Sequence, residues 1–195
     1  FIGRLPVTTV FETLEVDDLY AILKNPNNPI ILGKKKDFKS YGIDIEFEEE
    51  ALYGLAVKAY EEKTGARGLV SAVEKVLIKF EKRLPSTDIR KFVVTREVVE
   101  NPERELERLL QDPSNPEMQA KFEMLLSREK EALKASILSR EGEFKKRYGV
   151  VFLEGRIALI VNRMIEKGYD VNTVFEEAVE IQRTVEDFER DFHRK

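Results

Sequence analysis

One arginine stands among neighbours that suit it to phosphate chemistry. Arg67 lies in Lys63-Thr64-Gly65-Ala66-Arg67-Gly68-Leu69, where an apolar stripe starting at Leu69 predicts a helix and the glycines mark its beginning. The first backbone N–H groups of a helix have no internal partners and sit at the positive end of its dipole, so they attract an anion. A guanidinium in that first turn adds a planar fork for phosphate oxygens. Gly65 and Gly68 are expected to let a ligand approach closely. A second arginine, Arg4, lies in Phe1-Ile2-Gly3-Arg4-Leu5-Pro6-Val7 at the start of the chain.

Neither arginine hydrolyses a nucleotide unaided. A phosphate-binding loop needs a glycine-rich turn ending in Gly-Lys-Ser or Gly-Lys-Thr, whose amides cradle the phosphates and whose hydroxyl holds magnesium. Gly33-Lys34 is followed by Lys35 and has no upstream glycine of that motif, and no apolar run ends in paired acids. The chain alone is therefore expected to lack ATPase activity and a metal site. With no cysteine, disulfides, zinc thiolates and cysteine nucleophiles are excluded. The lone histidine, His193, lies in a charged tail and is given no role. A formal net charge of −4 argues against a dedicated nucleic-acid binder, which needs concentrated Lys and Arg. No apolar run approaches the ~18 residues that cross a bilayer, and no basic-then-apolar leader opens the chain. A cytoplasmic protein is expected. Because the chain opens on Phe1, inside an apparent motif, it reads as a fragment of a longer polypeptide.

Several elements must position Arg67. Leu14, Leu19, Ile22 and Leu23 recur at helical spacing until Asn25-Pro26-Asn27-Asn28-Pro29 stops them. A second short helix or ordered loop spans Ile30 to Tyr41, with Lys34, Lys35, Lys36 and Lys39 expected to form a solvated face. Ile43-Asp44-Ile45-Glu46-Phe47 alternates apolar and acidic residues, as a half-buried strand does. Glu48, Glu49 and Glu50 suit the N-terminus of a helix that continues through Leu52, Leu55, Ala59 and Tyr60, with Gly65 as its stop. Leu69, Val73, Val76, Leu77, Phe80 and Leu84 form the next apolar stripe, broken at Pro85. Phe92-Val93-Val94 reads as a second strand, after which Thr95 caps a last turn.

From Asn101 the texture changes to long charged helices. Glu103 to Leu110 is short. Glu117 to Tyr148 runs without proline and predicts one long helix with a weak point at Gly142. A further helix carries Ile157, Ile160, Val161, Met164 and Ile165. A last one carries Val171, Val174, Ala178, Ile181, Val185, Phe188 and Phe192 at alternating spacings of three and four, the seam of a helix that packs lengthwise on another. Met118 to Phe144 is the expected mate. The whole is α+β: a small domain over residues 1–100, with a short two- or three-stranded sheet, followed by a mostly helical module over 101–195.

The Lys63–Leu69 run, the Phe1–Val7 box, the strand before them and the Leu84-Pro85-Ser86 exit resemble the Clp family of AAA+ unfoldases, ClpX-type members most closely. The resemblance covers nearly all of the first hundred residues, and the helical tail departs from it. It implies a lid domain in which Gly65, Ala66 and Arg67 form the sensor-2 motif, Arg67 reaching nucleotide in its own subunit. It implies that Arg4 is an arginine finger for the neighbouring subunit of a hexameric ring, within the end of the large domain at residues 1–7. ATP and Mg2+ would then serve the full-length protein, with none held tightly by this piece, and its partners would be protein substrates and a partner protease. The competing expectation is a non-enzymatic adaptor or oligomerisation module on a lid scaffold.

Overall fold

Asn28 turns a helix stop into a helix start. Its side-chain amide donates to the Ile22 carbonyl at 2.7 Å, and its Oδ1 accepts from the Ile30 and Ile31 amides at 2.8 and 3.2 Å. Helix α1 (Val16–Lys24) thus ends where α2 (Pro29–Ser40) begins, with Pro29 at a position whose missing N–H costs nothing. The region open between helix and loop is a twelve-residue helix.

The computed structural model describes residues 13–148 and 154–167, with residues 172–174, 176, 177, 179 and 180. After α2 come β1 (Asp44–Phe47), α3 (Glu49–Glu61), α4 (Arg67–Arg83), a 3-10 turn at Leu84–Ser86, β2 (Lys91–Val94), α5 (Arg96–Glu100) and α6 (Pro102–Gln111). Strands β1 and β2 pair in parallel, with Ile45 opposite Phe92. Parallel strands need a long crossover, which α3 and α4 supply. The sheet is two-stranded among the described residues.

Period two divides the sheet's faces. Ile45, Phe47, Phe92 and Val94 point into a core with Leu19, Leu55, Val73, Leu77 and Phe80. The rings of Phe80 and Phe92 stack with centroids 4.8 Å apart. All six residues of the predicted α4 stripe are buried, whereas Tyr60 of the α3 stripe is exposed, because Ala51, Leu55, Ala56 and Ala59 form the face that packs. Leu106 and Leu109 of α6 join this same core.

Beyond it run α7 (Pro116–Ser139), α8 (Glu141–Tyr148) and α9 (Glu154–Lys167). Asn115 caps α7 by accepting from the Glu117 amide at 2.9 Å. The predicted single helix breaks at Arg140, two residues before Gly142. Ser139 there donates to the Ser136 carbonyl at 2.9 Å, a local bond that competes with the helix ladder. Leu133 and Ile137 of α7 pack on Ile157, Ile160, Val161 and Met164 of α9, and on Val174 and Val179, as a second core. Helix α7 therefore does find an intramolecular mate. The seam positions Val171, Ala178, Ile181, Val185, Phe188 and Phe192 and the tail residue His193 lie outside the described residues, as does the side chain of Phe144.

Candidate functional site

The α3–α4 junction is built by a run of backbone turns. Helix α3 stops at Glu61, Lys63 takes φ +53° and Gly65 takes φ +63°, the left-handed region that glycine enters without steric cost. The chain then enters α4 with Arg67 as its first residue and Ala66 as its N-cap. Ala66 offers no side-chain cap, and the first turn contains no acidic residue to offset the positive dipole end, although the Gly68 and Leu69 amides already donate to the Gly65 and Ala66 carbonyls at 3.0 and 3.2 Å. Glu62 braces the turn from the side, accepting from Ser71 Oγ at 3.0 Å and Lys75 Nζ at 2.7 Å. The Lys75 hydrogen bond, helped by Ser71, holds its carboxyl below the usual range.

Arg67 is exposed at this helix mouth, and among the described residues no hydrogen bond or ion pair holds its guanidinium. Gly65 and Ala66 are likewise exposed beside it. Gly68 has another task than the expected ligand approach. It is buried, and a Cβ there would meet the Ala59 carbonyl oxygen at 2.6 Å and Thr64 Oγ1 at 3.0 Å. The glycine lets α4 start hard against the end of α3, which sets the direction in which Arg67 leaves the fold. Arg4 lies outside the described residues. Among the described residues there is no group of three His, Cys, Asp or Glu side chains that could hold a metal ion, and no helix long and apolar enough to cross a membrane.

The segment that carries this junction is matched in sequence by known proteins. Residues 14–88 match the family model of the C-terminal, D2-small domain of ClpB protein. They are a Clp-type AAA+ lid domain. The ATP-dependent Clp protease ATP-binding subunit ClpX of Borrelia duttonii (strain Ly) is 40% identical over 102 residues, 52% of this chain and 24% of that protein. The ClpX subunit of Treponema denticola is 35% identical over 101 residues, 51% of this chain and 24% of its own length. The chain thus spans about a quarter of the length of these curated relatives.

Elsewhere the lid corrects a sequence expectation. Lys34 and Lys35 do not face solvent. Lys34, with a side chain 9% exposed, bonds Glu74 and Glu81 of α4, each at 2.7 Å. Lys35 lies between Glu46 of β1 at 2.9 Å and Glu129 of α7 at 2.6 Å. The alternation on β1 predicted a wet outer face, yet Glu46 is only 7% exposed because α7 covers it. Lys36 and Lys39 keep the expected exposure. Burial alone would lower the Lys35 pKa, but its two carboxylates overcome that and hold it above the ordinary value. Burial pushes the Glu46 carboxyl up to about 7 against the pull of Lys35, with Glu129 adding to the rise. Glu74 and Glu81, seven apart on one face of α4, were the legible signal for Lys34's position. Nothing local announces Glu129.

Proposed function

We propose that this chain is the C-terminal part of an ATP-dependent protein unfoldase subunit, in which the lid senses nucleotide and couples hydrolysis to substrate unfolding. Residues 1–100 would be the lid with the end of the large domain at 1–7, and 101–195 an appended helical module. The observation that supports this best is Arg67, exposed at the mouth of α4 and without a partner among the described residues, in a segment that is a Clp-type lid. A guanidinium at the positive end of a helix dipole fits the phosphates of a nucleotide. ATP, with Mg2+ held by residues outside this chain, would supply the hydrolytic chemistry. Gly65 and Ala66 keep the approach to Arg67 open, while the Gly68–Ala59 contact passes any movement at Arg67 to α3 and the lid core. Arg4 would stabilise charge on the phosphoryl group transferred in a neighbouring subunit of a hexameric ring. Protein substrates, a partner protease and a cytoplasmic setting belong to the same reading.

The test is Arg67→Ala in the longest polypeptide that contains this chain. Nucleotide binding should persist while ATP-driven unfolding of a tagged substrate is lost. Unfolding at the wild-type rate would reject the reading. The second reading, an adaptor or oligomerisation module on a lid scaffold, draws on exposed apolar residues of the helical segment, Leu159 at 69% exposure foremost. It expects partner capture that ATP does not alter.

A further inference from the structure

The sheet of the lid has two unlike faces, and the second meets α7. On that face lie Asp44 and Glu46 of β1 with Lys91 and Val93 of β2, a composition suited to water. The lid match ends at residue 88, well before α7. The lid's main core lies on the other face, with Met118 of α7 packed against its margin, and α7 has its own core with α9. The contact between them combines buried Val93 and Phe122 with ion pairs. Lys121 reaches Glu48, Lys91 pairs with Glu123, and Lys35 joins Glu129 to Glu46, with Phe122 buried beneath the Lys91 ammonium. A cleft of about 500 Å³ runs alongside, between α2 and β1 on one side and α7 and α9 on the other.

Within this interface one ammonium serves two carboxylates, so with all three groups ionised a negative charge is left over in a buried place. Glu129 Oε2 is buried without a hydrogen-bond partner. Such a charge is costly in low dielectric, and a proton removes the cost. We propose that the α7–α9 segment is a proton-latched arm of the lid, docking with uptake of one proton at Glu46, hydrogen-bonded to Glu129 beside Lys35, and releasing when that proton leaves. The other charges facing the cluster do not replace the proton. On the strands and α2, Lys39 is paired with Asp44 and Lys91 with Glu123, and Lys36 is exposed. Lys130 of α7 and Glu166 and Lys167 of α9 also line the cleft, but the charges acting on Glu46 are those of Lys35 and Glu129.

The sign follows from the carboxyl whose ordinary value is 4.5 and whose docked value is about 7. The docked form binds more protons than the released form, so docking is strongest below 4.5 and weakens as pH rises to about 7. Across that window the ratio of docked to released arm changes by up to about tenfold per pH unit for one proton. The chain has no cysteine, so spin labels on Tyr41→Cys and Leu159→Cys, both exposed in the wild type, report the lid-to-α9 distance in the full chain. The long-distance population should grow from pH 5 to pH 8, and a 13C carboxyl titration of Glu46 should have its midpoint near 7. In Glu129→Gln, which leaves one carboxylate for one ammonium, the midpoint should fall by more than about one unit and the pH response of the distances should weaken with it, burial of Glu46 sustaining the remainder. A Glu46 midpoint near 4.5, distances indifferent to pH in the wild type, or a pH response undiminished in Glu129→Gln overturns the proposal.

Discussion

The α3–α4 junction and the interface between the sheet and α7 each place a cation beside a helix, and they do opposite things with it. At the junction the groups that shape the site lie within a short stretch of chain from Ala59 to Lys75, and Arg67 is left exposed, with no pairing among the described residues. At the interface the partners of Lys35 come from β1 and from α7, the latter 94 positions away, and its charge is consumed internally. A cation left free on a backbone-built pedestal is available to an outside anion. One buried between two carboxylates is available only to the fold.

The largest effect that sharpens this contrast is Lys35→Met. A methionine fills the lysine's volume but leaves Glu46 and Glu129 facing each other without a counter-charge, and breaking a buried pair this way costs about 3–5 kcal/mol. Denaturant unfolding at pH 8 should show that loss. At pH 5 it should shrink, because the carboxyls can then take up protons. An equal loss at both pH values would mean that Lys35 acts through packing and not through charge.

Next in size is Gly68→Ala. The new methyl meets the backbone carbonyl of Ala59, which cannot swing aside as a side chain would. Overpacking of this kind costs about 1–3 kcal/mol, and the better helix propensity of alanine returns only about 1 kcal/mol. A net loss of up to about 2 kcal/mol, read as a lower urea midpoint with an unchanged m-value, is expected. A stabilised variant would show that α4 can tilt freely at the junction, and the fixed aim of Arg67 would no longer follow.

The lid was legible because its signals are local. Thr95 is a polar cap, the α4 stripe has one period, and the Ile43–Phe47 alternation marks a strand from its own residues. Arg67 could be placed at a helix start from the apolar stripe that begins at Leu69 and the glycines before it. The lysines of α2 misled because a charged run is solvated only if nothing arrives to cover it, and the covering groups, Glu74, Glu81 and Glu129, lie in helices placed by tertiary packing. The same absence hid Glu46: period two says that it leaves the core, and cannot say that a second layer waits there. The helix break at Arg140 was missed because Gly142 is the weaker residue by propensity, whereas the serines of the preceding turn decide where the ladder yields.

The smallest effect is the most discriminating. Arg67→Ala removes a guanidinium that touches no partner among the described residues, from a helix start where a positive charge faces the positive dipole end. Loss of a surface group without such contacts usually changes stability by no more than about 0.5 kcal/mol, and here relief of the dipole repulsion favours the variant by a few tenths. The urea midpoint of this chain should therefore hold or rise slightly. If it falls by about 1 kcal/mol or more, Arg67 serves the fold as Lys35 does, and the contrast between a free and a consumed cation disappears. If it holds while nucleotide-driven work in the longer protein is lost, the residue's whole contribution lies outside its own domain, as expected of a group kept free for a phosphate.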